Sequence, residues 1–293
     1  MKKYTQGYTL VELMIALVLG LIIVLVAIQM LLAGQKSVAF QNAMANVQDN
    51  ANIGLNYVVS DLKRTNLNLI NRDMKSIGIS GLIVNNSNFP PNITTNRKLS
   101  SSSSETSPSL VEEKSDVLVI QYRPNLVGGY DCEGNAITQT DEIVVQRYFL
   151  RRDPNGASFD LALACDAGKY TAAGTAITGL NAKDNEGGQI IMQRVDQFKV
   201  MVGVQNATGQ MSYMTLKQFA SVPAAENLRA VSLQIGLLVR SLDNSGENTE
   251  EQSLYKLLNT GQKVKKPTGM NAKFLRIPVE QTIALKNGLG ERL

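Results

Sequence analysis

Glu12 is a lone carboxylate four residues into an otherwise apolar run that begins at Tyr8. A charge deep in a bilayer costs about 2.5–3.5 kcal/mol on insertion scales, and such residues usually have a partner. A cut between Gly7 and Tyr8 would create one, a new amine at Tyr8. Tyr8 and Glu12 are spaced i,i+4, which puts them on one helix face. The carboxylate also lies near the positive end of the helix dipole. The plainer reading leaves Glu12 at the membrane interface. Cys132 and Cys165 are the two cysteines. An even count in an exported chain favours one disulfide, whereas a cytosolic chain would keep two buried thiols. The 293 residues include no His. That removes the commonest general base and the commonest metal ligand, and every Ser-His or Cys-His nucleophile pair. Carboxylate, Lys and Tyr chemistry remain.

The element that must carry Glu12 is a long apolar helix. Leu13 to Ala33 contains no charge, and as a helix it is roughly 31 Å long, the thickness of a bilayer core. Lys2 and Lys3 precede it, which places the N-terminus in the cytoplasm and the rest outside. The run is longer than a secretory signal, and Leu32-Ala33-Gly34 is a poor imitation of its cleavage site. Past Gly34 the pattern turns amphipathic: Phe40, Met44, Val47, Ala51, Leu55, Val58 and Leu62 form one stripe at helical period. No Pro interrupts residues 8–70. The spacing predicts one helix from about Thr9 to about Leu67, with Gly20, Gly34 and Gly54 as possible bending points.

Basic leader, Gly7, aromatic Tyr8 and Thr9-Leu10-Val11-Glu12-Leu13-Met14 before a long apolar helix resemble the N-terminal signal of type IV prepilins and pseudopilins. The resemblance implies cleavage after Gly7 by a prepilin peptidase, methylation of Tyr8, and an assembly role for Glu12. Tyr8 departs from the family's usual Phe. Asn46 to Ala51 with Ser60 to Arg64, Asn227 to Val231 with Ile235 to Ser241, and the closing Phe274 to Asn287 resemble the PilW family of minor pilins. That resemblance implies a structural or assembly-priming subunit of a type IV pilus, not an enzyme. Its implied partners are the prepilin peptidase, other minor pilins, the major pilin, the inner-membrane assembly platform and a tip adhesin. Motility, adhesion and DNA uptake all stay open as uses of such a pilus. The alternatives are a minor pseudopilin of a type II secretion system, an anchored periplasmic enzyme, and an anchored binding protein that keeps its leader.

The head is predicted to be α+β, an antiparallel sheet laid on the second half of the helix. The expected layout is a leader at 1–7, a transmembrane and assembly helix at 8–35, an amphipathic helix at 36–70 and a periplasmic head at 71–293. Strands are expected at Asp116–Arg123, Glu142–Arg151, one or two within Gln189–Val204, one around Val231–Val239 and one at Phe274–Leu285. Pro278 points to an edge or a bulge. Residues 85–115, rich in Asn and Ser, are expected as a mobile loop that buries no core. Cys132 and Cys165 sit mid-chain, so the C-terminal disulfide loop of many pilins does not carry over.

No cofactor and no metal is implied. Gly128-Gly129 and Gly187-Gly188 lack phosphate-loop spacing. Asp184 to Gly187 is too short a calcium loop. Lys263, Lys265 and Lys266 read as a solvated face. A net charge of +4 with 5% aromatic residues gives no nucleic-acid surface.

Overall fold

The structure, a computed structural model, describes residues 7–69, 73–94, 100–103, 107–180, 187–243, 253–267, 270 and 273–288. The leader residues 1–6 and most of the Asp184–Gly187 turn lie outside them.

Helix α1 runs unbroken from Leu10 to Leu62, about 80 Å at 1.5 Å per residue. Thr9 is its N-cap in extended conformation, and Glu12 closes a capping box with it. Residues 7–42 are exposed, and burial begins at Ala43. The buried stripe is Val47, Ala51, Leu55, Val58 and Leu62. Phe40, expected on that stripe, lies short of the head and is 40% exposed. Gly54 is not a bend. A Cβ there would stand 2.9 Å from Met192 Cβ, so the missing side chain lets helix and strand meet.

The helix stops at Leu62, not near Leu67. Asn66 and Asn68 take positive φ, 66° and 52°, which Asn tolerates better than most residues. Asn66 then leaves the helix to bond Gln121 O through its backbone N–H at 3.0 Å.

Two antiparallel sheets pack with α1. The first has the order β1 (Ser102–Ser103), β2 (Asp116–Tyr122), β3 (Glu142–Arg152), β4 (Leu161–Thr171) and β5 (Gln189–Gln193). The second has the order β11 (Arg276–Ala284), β8 (Arg229–Arg240), β6 (Val195–Gln205) and β7 (Met211–Thr215). A short helix α2, Leu216–Ala220, follows β7, and a ribbon of β9 (Leu254–Leu257) and β10 (Thr260–Lys263) lies apart. α1 rests against β5 of the first sheet and against β11 and β8 of the second. The main core joins its stripe to Leu118 and Ile120, Tyr148, Leu163, Phe198, Leu237 and Ile283. The expected α+β head is therefore present, built on two sheets. Pro278 sits on β11, an edge strand, where a missing N–H costs no ladder bond. Leu238, which breaks the alternation of β8, faces away from α1 and packs with Val111 and Tyr255.

The stretch 85–115 does not behave as a loop without a core; 95–99 and 104–106 in it lie outside the described residues. Phe89 and Ile93 cover the outer face of the first sheet with Val119, Val145 and Phe149. Leu110 joins the main core. Polar side chains replace ladder bonds here. Asn88, fully buried, accepts from Val84 N and Asn85 N at 2.9 and 2.8 Å. It donates to Gly78 O at 2.8 Å. Composition rich in Asn and Ser is thus compatible with burial when each amide and hydroxyl is bonded.

Candidate functional site

Gly7, Tyr8 and Glu12 come together at the free end of α1. Gly7 has open space around it, and Tyr8 is 92% exposed. Tyr8 precedes the N-cap and is outside the helix, so it does not share a helix face with Glu12 as expected. Thr9 takes the cap position and turns the chain there. Glu12 Oε2 accepts from Thr9 N and from Thr9 Oγ1, both at 2.9 Å. Its own N–H donates to Thr9 Oγ1 at 3.3 Å. Within one chain the carboxylate therefore satisfies the Thr9 backbone N–H, and the Thr9 hydroxyl satisfies the Glu12 N–H that the helix start leaves open. α1 is long and apolar enough to cross a membrane, and its apolar window has no buried residue. Among the described residues nothing covers that surface.

The two cysteines are far from this end. Cys132 and Cys165 are bonded, with Cα atoms 6.0 Å apart and a sequence separation of 33. The bond ties the loop after β2 to strand β4, which lies between β3 and β5. Tyr57 Oη donates to Cys132 O at 3.3 Å, and Arg64 Nη1 donates to Tyr130 O at 3.2 Å. The last turns of α1 and the disulfide loop therefore form one unit. Beneath them Tyr148 Oη donates to Asp61 Oδ2 at 3.0 Å. Burial pushes the Asp61 carboxyl above its usual range, against the pull of that hydrogen bond and of Arg64. Burial, with Asp61 adding to it, pushes the Tyr148 hydroxyl well up.

The motifs near the C-terminus do structural work that the sequence did not disclose. Asn287 Nδ2 donates to Lys63 O at 2.9 Å and to Thr65 O at 3.1 Å. Asn66 Nδ2 returns a bond to Asn287 O at 3.2 Å. The closing segment thus caps the carbonyls that α1 leaves open at its end. Arg240 and Arg276 stand opposite each other on β8 and β11, a repulsive pairing if left bare. Asp196 bridges them, Oδ1 to Arg240 Nε at 3.0 Å and Oδ2 to Arg276 Nε at 2.7 Å. Asp160 takes Arg240 Nη2 at 2.6 Å and also Arg194 at 3.0 Å. A charged residue inside an apolar strand motif was the available signal. Among the described residues no group of three or more His, Cys, Asp or Glu could hold a metal.

Comparison with known proteins gives two family matches. Residues 2–28 match the prokaryotic N-terminal methylation motif. Residues 147–287 match the family described as type IV pilus-assembly protein W, PilW. No curated relative matches the chain. Among solved structures it is similar to a type IV-like pilin from Thermus thermophilus, at 12% identity and a TM-score of 0.40, covering 82% of this chain and 97% of that one. The second match runs from β3 to Asn287, so it takes in the arginine cluster and the residue that caps α1. The chain therefore matches the methylation motif at its N-terminal end and the PilW family over the second half of its head.

Proposed function

We propose that this chain is a minor pilin of a type IV pilus, cut after Gly7, methylated at Tyr8, and active as a structural, assembly-priming subunit and not as an enzyme. The observation that carries the reading is α1. Its first part is apolar and exposed on every side, while its second part is fixed in the head. Such a surface needs a bilayer first and neighbouring helices afterwards. The basic Lys2 and Lys3 put the head in the periplasm before the subunit joins the filament. The partners of this reading are the prepilin peptidase, the assembly platform of the inner membrane, and other minor and major pilins.

Glu12 acts in two settings. In the membrane its carboxylate is held by Thr9. In the filament the amine freed at Tyr8 of an incoming subunit competes for it and sets the axial register. The test is a cell making Glu12→Gln as its only copy, with sheared pili and membranes blotted separately. Membrane insertion and the cut after Gly7, read by N-terminal mass spectrometry, should persist, while the pilus fraction falls. Normal amounts in the pilus fraction would remove the register role. A full-length precursor in wild-type membranes would overturn the processed-pilin reading itself. A deletion strain scored for both surface pili and secretion separates the pilus from a type II secretion system.

A further inference from the structure

The Gly7–Tyr8 peptide bond lies just ahead of α1, and the way the helix starts decides its conformation. An α-helix bonds each N–H to the carbonyl four residues back. In α1 that pattern opens with Leu13 N to Thr9 O at 3.2 Å. One step further back, Glu12 N would take Tyr8 O. Val11 N would then take Gly7 O, the carbonyl of the bond to be cut. Neither bond is present among the described residues. Glu12 N donates instead to Thr9 Oγ1 at 3.3 Å. The Thr9 N–H, which in a helix begun earlier would turn to Thr5 O, donates to Glu12 Oε2 at 2.9 Å. Thr9 itself is extended, with φ −74° and ψ 151°. Ahead of it Tyr8 is 92% exposed, and a Cβ on Gly7 would meet nothing within 4 Å.

Hydrolysis puts a hydroxyl on the Gly7 carbonyl carbon and a proton on the Tyr8 nitrogen. It needs a carbonyl that is not already bonded along a helix axis, on a backbone that a peptidase cleft can line up with. A helical peptide offers neither. At the edge of a bilayer the alternative to a capped helix is a longer one and not a frayed one, because open backbone groups are costly where water is scarce. We propose that Thr9 is a positioning residue for processing: with the Glu12 side chain returning its bond, it starts α1 at Leu10 and so presents the Gly7–Tyr8 bond extended to the peptidase. Glu12 then has a task before the filament, and that task needs an acceptor oxygen at position 12 and not a charge. The inference rests on the reading that the chain is cut after Gly7.

The experiment follows cleavage of the full-length precursor in detergent micelles by a prepilin peptidase, read as KM and kcat. Thr9→Val keeps the shape and removes the acceptor. If only the extended fraction is cut, the apparent affinity falls in proportion to that fraction. KM should therefore rise with kcat unchanged, by about 2–30-fold, the equilibrium factor that an N-cap side chain carries. Thr9→Ser restores the cap and should stay within about twofold of wild type. Glu12→Gln, the variant expected to fail in the pilus, keeps the capping box and should be cut normally.

A second measurement reads the conformation directly. Carbon-13 on glycine carbonyls with nitrogen-15 on tyrosine marks Gly7–Tyr8 and Gly129–Tyr130, the two Gly-Tyr steps of the chain. In Thr9→Val the Gly7 carbonyl signal should move towards the helical range, while that of Gly129, in the head, stays where it is. Thr9→Val with the wild-type KM would overturn the proposal, as would Thr9→Ser or Glu12→Gln with a KM raised as far as that of Thr9→Val. Those results would leave the processed-pilin reading intact. A wild-type precursor that is not cut after Gly7 would instead overturn that reading, and this inference with it.

Discussion

The two parts of α1 obey different rules although they form one unbroken helix. Residues 10–42 are exposed throughout, and in the apolar run up to Gly34 the constraint is solvent: any apolar residue serves, so no periodicity is needed. From Ala43 on, the constraint is shape. Ala43, Ala51 and Gly54 are small where the sheets come close, and Val58 and Leu62 are wholly buried. A helix can therefore be read as a membrane element in one part and as a core element in the next, with no break between. The sharpest way to break this comparison is one charge placed in each part. Val58→Asp buries an unpaired carboxylate and should cost more than about 4 kcal/mol, so the head should not fold, read by loss of near-ultraviolet dichroism. Ile22→Asp should leave the head's unfolding transition in detergent where it is and instead reduce membrane insertion, read by carbonate extraction. A head destabilised equally by both would show that the two parts are not independent.

The next effect concerns the disulfide loop, which borders only the buried part of α1 through Tyr57 and Arg64. Closing a loop with 33 residues of separation stabilises by about 3–4 kcal/mol in the chain-entropy model. Cys132→Ser with Cys165→Ser should lower the denaturant midpoint accordingly, with the insertion of residues 10–42 unchanged. A loss below about 1 kcal/mol would mean that Asp131 and the backbone turn already hold the loop.

Sequence patterning exposed the parts that obey a period or a solvent rule. The apolar run, the stripe from Val47 to Leu62, and the strands Asp116–Tyr122 and Arg229–Arg240 were all legible that way. Strand β4 was not, because Leu-Ala-Leu-Ala-Cys-Asp-Ala-Gly is made of residues poor in strand preference. Its Asp166 fits only because Arg147 on β3 pairs with it at 2.9 Å. Residues 85–115 misled because polar composition says nothing of whether each amide finds a partner, as Asn88 does. At the candidate site, Gly7 and Glu12 stood out as exceptions to their surroundings, whereas Asn287 did not. Its role depends on the end of α1, more than two hundred positions earlier, and only folding brings the two together.

Asn287 gives the third expected effect. Asn287→Ala removes the donations to Lys63 O and Thr65 O, at a cost of about 1–2 kcal/mol. Hydrogen exchange should speed up in the last turns of α1 and not in residues 10–42. Unchanged exchange at residues 59–65 would show that solvent caps this end as well as the closing segment does.

Asp61 gives the smallest effect and a pH dependence of unusual sign. Tyr148 donates to it at 3.0 Å, Arg64 lies at 3.6 Å, and Asp131 adds repulsion. Burial, with Asp131 on its side, outweighs the Tyr148 and Arg64 contacts, so the folded chain holds the Asp61 proton to a higher pH than the ordinary value of 3.8. In the window above that value the native state binds more protons than the unfolded one, so stability contributed by this group falls as pH rises. A typical paired carboxylate does the opposite. Asp61→Asn keeps an oxygen for the Tyr148 hydroxyl and removes the buried charge. At pH 7 it should raise Tm by at most about 2–4 °C, the shift that 1 kcal/mol gives in a domain of this size. The gain should shrink as pH falls toward 3.8 and vanish below it, where folded and unfolded chains are both protonated at this site. Asp49, exposed on the same helix, is the control position: Asp49→Asn should show no such trend. If Asp61→Asn were instead less stable at pH 7 than at pH 4 relative to wild type, the Arg64 attraction would outweigh desolvation, and the last turn of α1 would be held by an ion pair and not by packing.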